Sequence, residues 1–206
     1  MTALKLTYFD FHGGRAEPVR LALHLGGVAF EDQRFTFPQF GEIRKQTPFG
    51  QVPVLSVDGK LISQSDAILR YAGKLSGLYP ADAVQALLCD EVNFVVEEHA
   101  IKMDPTYRLT GEEQKAARLA LVNGSLPVLL KWLAQRLAEQ GGKFFGGDKP
   151  NIADLKVFVN TRGLSSGRLD HIPVTLVQEL APSLIEHAQR VADLPEVQAY
   201  YAKFKA

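Results

Sequence analysis

The stretch Leu4-Lys5-Leu6-Thr7-Tyr8-Phe9-Asp10-Phe11-His12-Gly13-Gly14-Arg15-Ala16-Glu17-Pro18-Val19 decides the fold, because it reads as a strand, a turn and the start of a helix. Leu4, Leu6 and Tyr8 alternate with Lys5 and Thr7, the period-two rhythm of a half-buried strand. His12-Gly13-Gly14 breaks that rhythm as a turn, and Pro18 suits the first turn of a helix, where its missing N–H is not needed. Val19, Leu21, Ala22, Leu23 and Leu25 give that helix a broad apolar face, and Gly26-Gly27 stops it. Phe30 to Phe35 follows as a second strand, so the opening is a βαβ unit.

Downstream the rhythm changes. Pro53-Val54-Leu55-Ser56-Val57 and Lys60-Leu61-Ile62-Ser63 flank Asp58-Gly59, a strong two-residue hairpin signal. A helix is predicted from about Ser65 to Leu75. The order β-α-β, a variable segment, then β-β-α predicts a thioredoxin-like α/β N-terminal domain. Beyond Gly77-Leu78-Tyr79-Pro80-Ala81-Asp82 the strand signals end, and helical spacing takes over from Val84 to Met103. One long helical pattern is expected from about Glu112 to Gln140, bent near Gly124 and Pro127. Asn151 is a good N-cap for the next helix, with Asp154 placed to complete a capping box. Shorter helices are expected around Ser183 to Val191 and Pro195 to Phe204. The expected organisation is an α/β domain over residues 1–77, a linker over 78–85 and an all-α C-terminal domain over 86–206.

Lys plus Arg and Asp plus Glu both total 23, so no global field draws the chain to nucleic acid or to an anionic membrane. The single cysteine, Cys89, cannot form an intramolecular disulfide, and no Cys or His spacing suggests a metal site. No apolar run reaches the ~20 residues of a membrane span, and the first residues have no apolar signal core. The expectation is a soluble protein of a reducing, cytoplasmic compartment without a metal.

Tyr8, Arg15, Gln51-Val52-Pro53 and Gln64-Ser65-Asp66 all fall where an open α/β sheet gathers ligands, at strand ends and helix starts. Gln64-Ser65 at a helix N-terminus offers backbone N–H groups and the positive end of the dipole to a carboxylate; the alternative is that Ser65 only caps its own helix. A cis Pro53 would turn Val52's backbone outward to pair with an extended peptide; a trans bond would make it an ordinary strand entrance. Tyr8 is a strand aromatic or a hydroxyl donor to a thiolate, and Arg15 a nearby cation or a surface tie. His12 reads as a solvated turn residue, and Asp154 as a cap rather than a catalyst.

The set Tyr8-Phe9, Gly14-Arg15-Ala16-Glu17-Pro18-Val19-Arg20-Leu21, Pro48-Phe49-Gly50-Gln51-Val52-Pro53-Val54-Leu55, Gln64-Ser65-Asp66-Ala67-Ile68-Leu69-Arg70-Tyr71 and Gly146-Gly147-Asp148-Lys149-Pro150-Asn151-Ile152-Ala153-Asp154 resembles the glutathione transferase family. It is most similar to the sigma class, which includes glutathione-dependent prostaglandin D synthases and S-crystallins. The resemblance implies that glutathione is the co-substrate, that Tyr8 stabilises its thiolate, and that Arg15 assists. It implies that Gln51, Val52 and Pro53 hold the cysteinyl backbone and that Gln64 and Ser65 hold the γ-glutamyl carboxylate. Phe40 and Arg44 stand where sigma members place a tryptophan and a lysine for the glycyl end; Phe40 lacks the indole N–H, while Arg44 keeps a carboxylate partner. Glu98 of a second subunit best matches the acid that meets the glutamyl amine, ahead of Glu97 and Asp90, so a homodimer is implied, with Phe49 where related classes project an aromatic into the partner, although sigma interfaces are often more polar.

The implied activity is conjugation of glutathione to small hydrophobic electrophiles, with peroxide reduction or prostaglandin H to D isomerisation on the same thiolate, or a non-catalytic S-crystallin-like or ligand-binding role, as alternatives. Phe9, Met103, Tyr107 and Phe204 are candidates for an apolar second site, each equally readable as core or domain-seam packing. The turn Asp10-Phe11-His12-Gly13-Gly14 is about one residue longer than the usual sigma turn.

Overall fold

The computed structural model describes residues 2–204. The chain forms two compact units, one running to Tyr79 and taking in the chain again from Glu196, the other spanning Pro80–Pro195.

The first unit contains β1 (Leu4–Phe9), α1 (Glu17–Leu25), β2 (Glu31–Phe35), a short α2 (Phe40–Ile43), β3 (Val54–Val57), β4 (Lys60–Ile62) and α3 (Ser65–Ser76). The strands form one sheet in the order β2-β1-β3-β4. β1 runs parallel to β2, as a βαβ crossover requires, and antiparallel to β3, which forms a hairpin with β4. This is the expected βαβ-ββα arrangement. Leu4, Leu6 and Tyr8 are buried along one face of β1, so the alternation read from the sequence is a true sidedness. Asp58 and Gly59 both adopt positive φ, 49° and 86°, the geometry a two-residue hairpin turn needs to follow the strand twist. α1 ends at Gly26, where Ser76 of α3 occupies the place a side chain would take, so glycine allows the two helices to approach.

The variable segment between β2 and β3 is built from 3-10 turns at Phe37–Gln39, Arg44–Gln46 and Pro48–Gly50 around α2. The last helix, α10 (Pro195–Ala202), groups from Glu196 with this first unit rather than with the helical one. The Tyr200 hydroxyl accepts from Arg34 at 3.3 Å, and the Arg34 guanidinium lies over the Phe204 ring at 4.7 Å. A sequence read in order cannot show such a return.

The second unit begins with α4 (Ala83–Met103), capped by Asp82, whose carboxylate accepts from the N–H groups of Val84 and Gln85. Helix therefore reaches into the expected 78–85 linker. α5 (Gly111–Asn123) and α6 (Ser125–Glu139) are separate helices, not one bent one. Gly124 leaves the helical region at φ −123°, ψ −94°, and a Cβ there would stand 2.8 Å from the Ala120 carbonyl oxygen. Pro127 then falls in the first turn of α6, where a proline is harmless. α7 (Ile152–Leu164), α8 (Leu176–Leu180) and α9 (Pro182–Ala192) complete the unit; α8 was not anticipated.

α7 is buried from Ile152 through Phe158, and its capping box is formed as expected. The Asn151 side chain accepts from Ala153 N–H, and the buried Asp154 carboxylate accepts from the N–H groups of Asn151 and Phe145, each at 2.8 Å. Asp154 also meets His187 Nε2 of α9 at 2.7 Å, which ties the start of α7 to a second helix.

Candidate active site

Tyr8 is the next-to-last residue of β1, with its ring on the buried face, 6% exposed, and its hydroxyl directed toward the turn. The backbone N–H of Arg15 donates to that hydroxyl oxygen at 3.2 Å. Gly14 makes this approach possible: its φ is 64°, and a Cβ would lie 2.5 Å from the Tyr8 oxygen. Glycine is required here both for its conformation and for its lack of a side chain. A phenol that accepts an N–H bond has its own O–H polarised, which strengthens it as a donor.

The turn after Tyr8 is held by a residue that the sequence reading passed over. Arg20, fully buried in α1, donates through Nη2 to the Phe9 carbonyl at 3.1 Å and through Nη1 to the Phe11 carbonyl at 3.0 Å. Its Nε reaches Asp32 at 3.0 Å and its Nη1 reaches Glu17 at 3.3 Å. Asp32 in turn accepts from Arg34 at 2.8 Å. The guanidinium also lies 5.7 Å from the centre of the Tyr8 ring. A buried charge persists only when it is paired and hydrogen-bonded, and Arg20 is both. The available signal was an arginine inside the apolar run Val19-Arg20-Leu21-Ala22-Leu23 with an acid three residues earlier, the spacing of a pair on one helix face.

His12 differs from expectation. It is half-buried, 3.2 Å from the buried Glu17 carboxylate, and its ring packs against Phe204 at 4.4 Å and Tyr201 at 5.6 Å. The longer turn is thus fastened on one side by Arg20 and on the other by α10. Within the same cluster, burial and the nearby Glu17 carboxylate push the Tyr200 phenol well above the usual range.

The remaining first-unit candidates gather at the same strand ends. Pro53 is cis, and β3 begins immediately after it. Gln64 occupies the position before α3 with φ 76° and ψ 105°, a conformation that a non-glycine residue adopts only under constraint. Ser65 is therefore the first helical residue rather than the cap, and the Gln64 side chain makes no cap hydrogen bond. Arg44 lies over the Phe40 ring at 5.5 Å and against Gly50, next to Gln51.

Glu98 lies on α4 in the other unit, paired with Lys102 at 2.6 Å. It borders a cleft of about 450 Å³ lined by Val95, His99, Val128, Leu129 and Trp132. His99 is buried with its Nδ1 unbonded, and burial together with the Lys102 charge lowers its pKa to about 4.

The second-site candidates separate. Met103 is 4% exposed and accepts a bond from the Thr106 hydroxyl, so it belongs to the helical core. Tyr107 is exposed beside Arg118, and Phe204 covers His12. Phe9 packs among Phe35, Phe37 and Phe40. Among the described residues no group of three or more His, Cys, Asp or Glu side chains could hold a metal ion, and no helix is long and apolar enough to cross a membrane.

Comparison with known proteins gives this geometry a context. Residues 4–74 match the family described as "Glutathione S-transferase, N-terminal domain", and residues 100–204 match "Glutathione S-transferase, C-terminal domain". Glutathione S-transferase 1 of Ascaris suum is 31% identical, with 98% of this chain and 97% of that protein covered. Hematopoietic prostaglandin D synthase of Gallus gallus is 32% identical over the same shares of each chain. The structure of prostaglandin synthase D of Nilaparvata lugens superposes with a TM-score of 0.86 at 28% identity, covering 98% of both chains.

Proposed function

The chain belongs to the glutathione S-transferase family, and we propose that its Tyr8 hydroxyl donates to the sulfur of bound glutathione and holds it as the thiolate. It is a transferase that joins glutathione to small hydrophobic electrophiles. The observation that carries the proposal is the Arg15 N–H bond to the Tyr8 oxygen, which leaves the phenol accepting on one side and polarised to donate on the other. A thiol of pKa ~8.5 is only about 3% ionised at pH 7, and lowering it by roughly two units requires about 2.7 kcal/mol of thiolate stabilisation. One directed hydroxyl bond to a charged sulfur, with the Arg20 guanidinium 5.7 Å from the Tyr8 ring, is of that size.

The rest of the tripeptide has matching groups. The Val52 backbone ahead of β3 suits the cysteinyl unit, with Gln51 beside it and Pro53 setting the direction of the chain. The start of α3 at Gln64 and Ser65 suits the γ-glutamyl carboxylate. Arg44, stacked on Phe40, suits the glycyl carboxylate. The test is a titration of bound glutathione by thiolate absorbance near 240 nm: a bound thiol pKa near that of the free thiol overturns the assignment.

We also infer a sigma-like homodimer working in the cytosol to conjugate reactive compounds. Phe49 is 79% exposed at φ 57°, an apolar knob on a tight turn, and Val84, Leu87, Phe94 and Ile101 are exposed along α4. In the inferred two-fold pairing the exposed Phe49 and the exposed Glu98 are the groups offered to the partner subunit. Prostaglandin H to D isomerisation is a second reading, supported by the similarity to the Gallus gallus synthase and tested by incubation with prostaglandin H2.

A further inference from the structure

Only Gly13 and Gly14 stand between His12 and Arg15, whose N–H bonds the Tyr8 hydroxyl. The two glycines adopt φ 147° and 64° in succession, conformations that glycine alone takes freely. Such a pair gives the turn little stiffness of its own, so its shape is set by what the neighbouring side chains hold. Arg20 holds the first half, through the carbonyls of Phe9 and Phe11. His12 holds the second.

The His12 ring is gripped from two directions. Its Nδ1 lies 3.2 Å from Glu17 Oε1, and the same carboxylate accepts from Arg20 through Oε2 at 3.3 Å. One buried acid therefore joins both anchors of the turn. A carboxylate paired with a guanidinium only accepts, which places the hydrogen on His12 Nδ1. Three rings from the end of the chain surround the imidazole: Phe204 at 4.4 Å, Tyr201 at 5.6 Å and Tyr200 at 6.1 Å. All three meet it edge to face, a favoured arrangement for aromatic pairs. Tyr200 is itself buried and bonded to Arg34 of β2, so this wall of the clamp is fixed to the sheet.

We propose that His12 is a positioning residue for the thiol site: held between Glu17 and the rings of the last helix, it sets where the Arg15 N–H meets the Tyr8 hydroxyl. This rests on the glutathione transferase reading and deepens it by adding the end of the chain to the parts that tune the thiol. The Arg15–Tyr8 bond, at 3.2 Å, is at the long end of the N–H···O range, so a turn relaxed by ~0.3 Å loses it. With that bond goes the polarisation of the phenol, and with the polarisation part of the thiolate stabilisation. The imidazole takes no proton in the reaction; it acts through the turn.

The test reads the pKa of the bound glutathione thiol by thiolate absorbance near 240 nm. Tm, and affinity for S-methylglutathione, which has no thiol to ionise, are measured on the same proteins. His12→Ala is expected to raise the bound-thiol pKa by about 0.5–1 unit, the effect of one hydrogen bond, with S-methylglutathione affinity changed less than about two-fold. His12→Asn keeps an N–H donor close to the place of Nδ1 and should recover at least about half of that shift. Phe204→Ala opens the clamp at a residue 45% exposed, leaves the turn sequence intact, and should shift the pKa the same way by about 0.3 unit. This second variant decides the matter if His12→Ala does not fold. An unshifted pKa in the folded variants, whatever Tm does, makes His12 a structural contact only and overturns the proposal. A shift in His12→Ala that His12→Asn leaves untouched and Phe204→Ala fails to reproduce overturns it too. A bound-thiol pKa in the unaltered protein equal to that of free glutathione overturns the thiolate reading, and this inference with it.

Discussion

The backbone N–H of Arg15 donates to the Tyr8 hydroxyl at 3.2 Å, across a glycine whose Cβ would collide with that oxygen. Tyr8 is thereby oriented by the chain itself before any ligand arrives. Orientation set in advance is what lets one hydrogen bond act on a thiol without first reorganising its surroundings.

Removing that hydroxyl tests the assignment. Tyr8→Phe is expected to lower kcat/KM toward a chromogenic aryl halide by at least about ten-fold, while glutathione affinity by calorimetry changes little, because the peptide contacts remain. Unchanged turnover in steady-state assays removes Tyr8 from the mechanism.

Gly14→Ala reports on the same contact from the backbone. At φ 64° with 2.5 Å to the Tyr8 oxygen, the new methyl group must displace either the ring or the turn. The expected outcome is activity reduced nearly as far as in Tyr8→Phe, with a lowered Tm, since a side chain in the left-handed region costs about 1 kcal/mol or more. Wild-type kinetics from this variant contradict the proposed orientation.

Arg20 is expected to govern stability more than chemistry. Arg20→Met fills similar volume but leaves the Glu17 carboxylate buried without its guanidinium partner and frees the carbonyls of Phe9 and Phe11. Breaking one side of a buried pair costs about 3–5 kcal/mol. Urea unfolding measures it, and a loss below about 1 kcal/mol refutes the role given to Arg20 in holding the turn.

His99 gives a pH dependence of defined sign. Burial holds its folded pKa near 4, below the 6.5 of the unfolded chain, so the unfolded state binds the proton first as pH falls. Its contribution is complete above about pH 6.5 and is lost progressively toward pH 4, amounting to at most about 3 kcal/mol. His99→Leu should flatten the urea-midpoint profile between those values. A profile that keeps its slope there assigns the titration to another group.

The proposed dimer is tested by Phe49→Ser. Phe49 is mostly solvent-exposed within one chain, so its loss should leave the unfolding midpoint of an isolated chain nearly unchanged. Sedimentation equilibrium is expected to show a shift from dimer to monomer and a weaker glutathione affinity, through separation from the partner subunit's Glu98. A variant that remains fully dimeric removes Phe49 from the interface.

Local rules made much of this protein readable in advance. The alternation at Leu4, Leu6 and Tyr8, the Asp58-Gly59 hairpin and the Asn151–Asp154 capping box are each fixed by residues close in sequence. So are the helix start at Pro18 and the clustering of Tyr8, Val52-Pro53 and Gln64-Ser65 at strand and helix ends. Tertiary structure alone decided the rest, because it depends on partners far apart in the chain. Tyr200 bonding to Arg34 returns the last helix to the first unit. Asp32 of β2 pairs with Arg20 of α1 and makes a charge tolerable in the core. The Phe11 and Phe37 rings, carried on two turns far apart in the sequence, meet at 6.0 Å. Sequence periodicity records which face of an element is buried; it carries no record of which distant group that face will meet, and both the orientation of Tyr8 and the ring contacts beside it depend on such meetings.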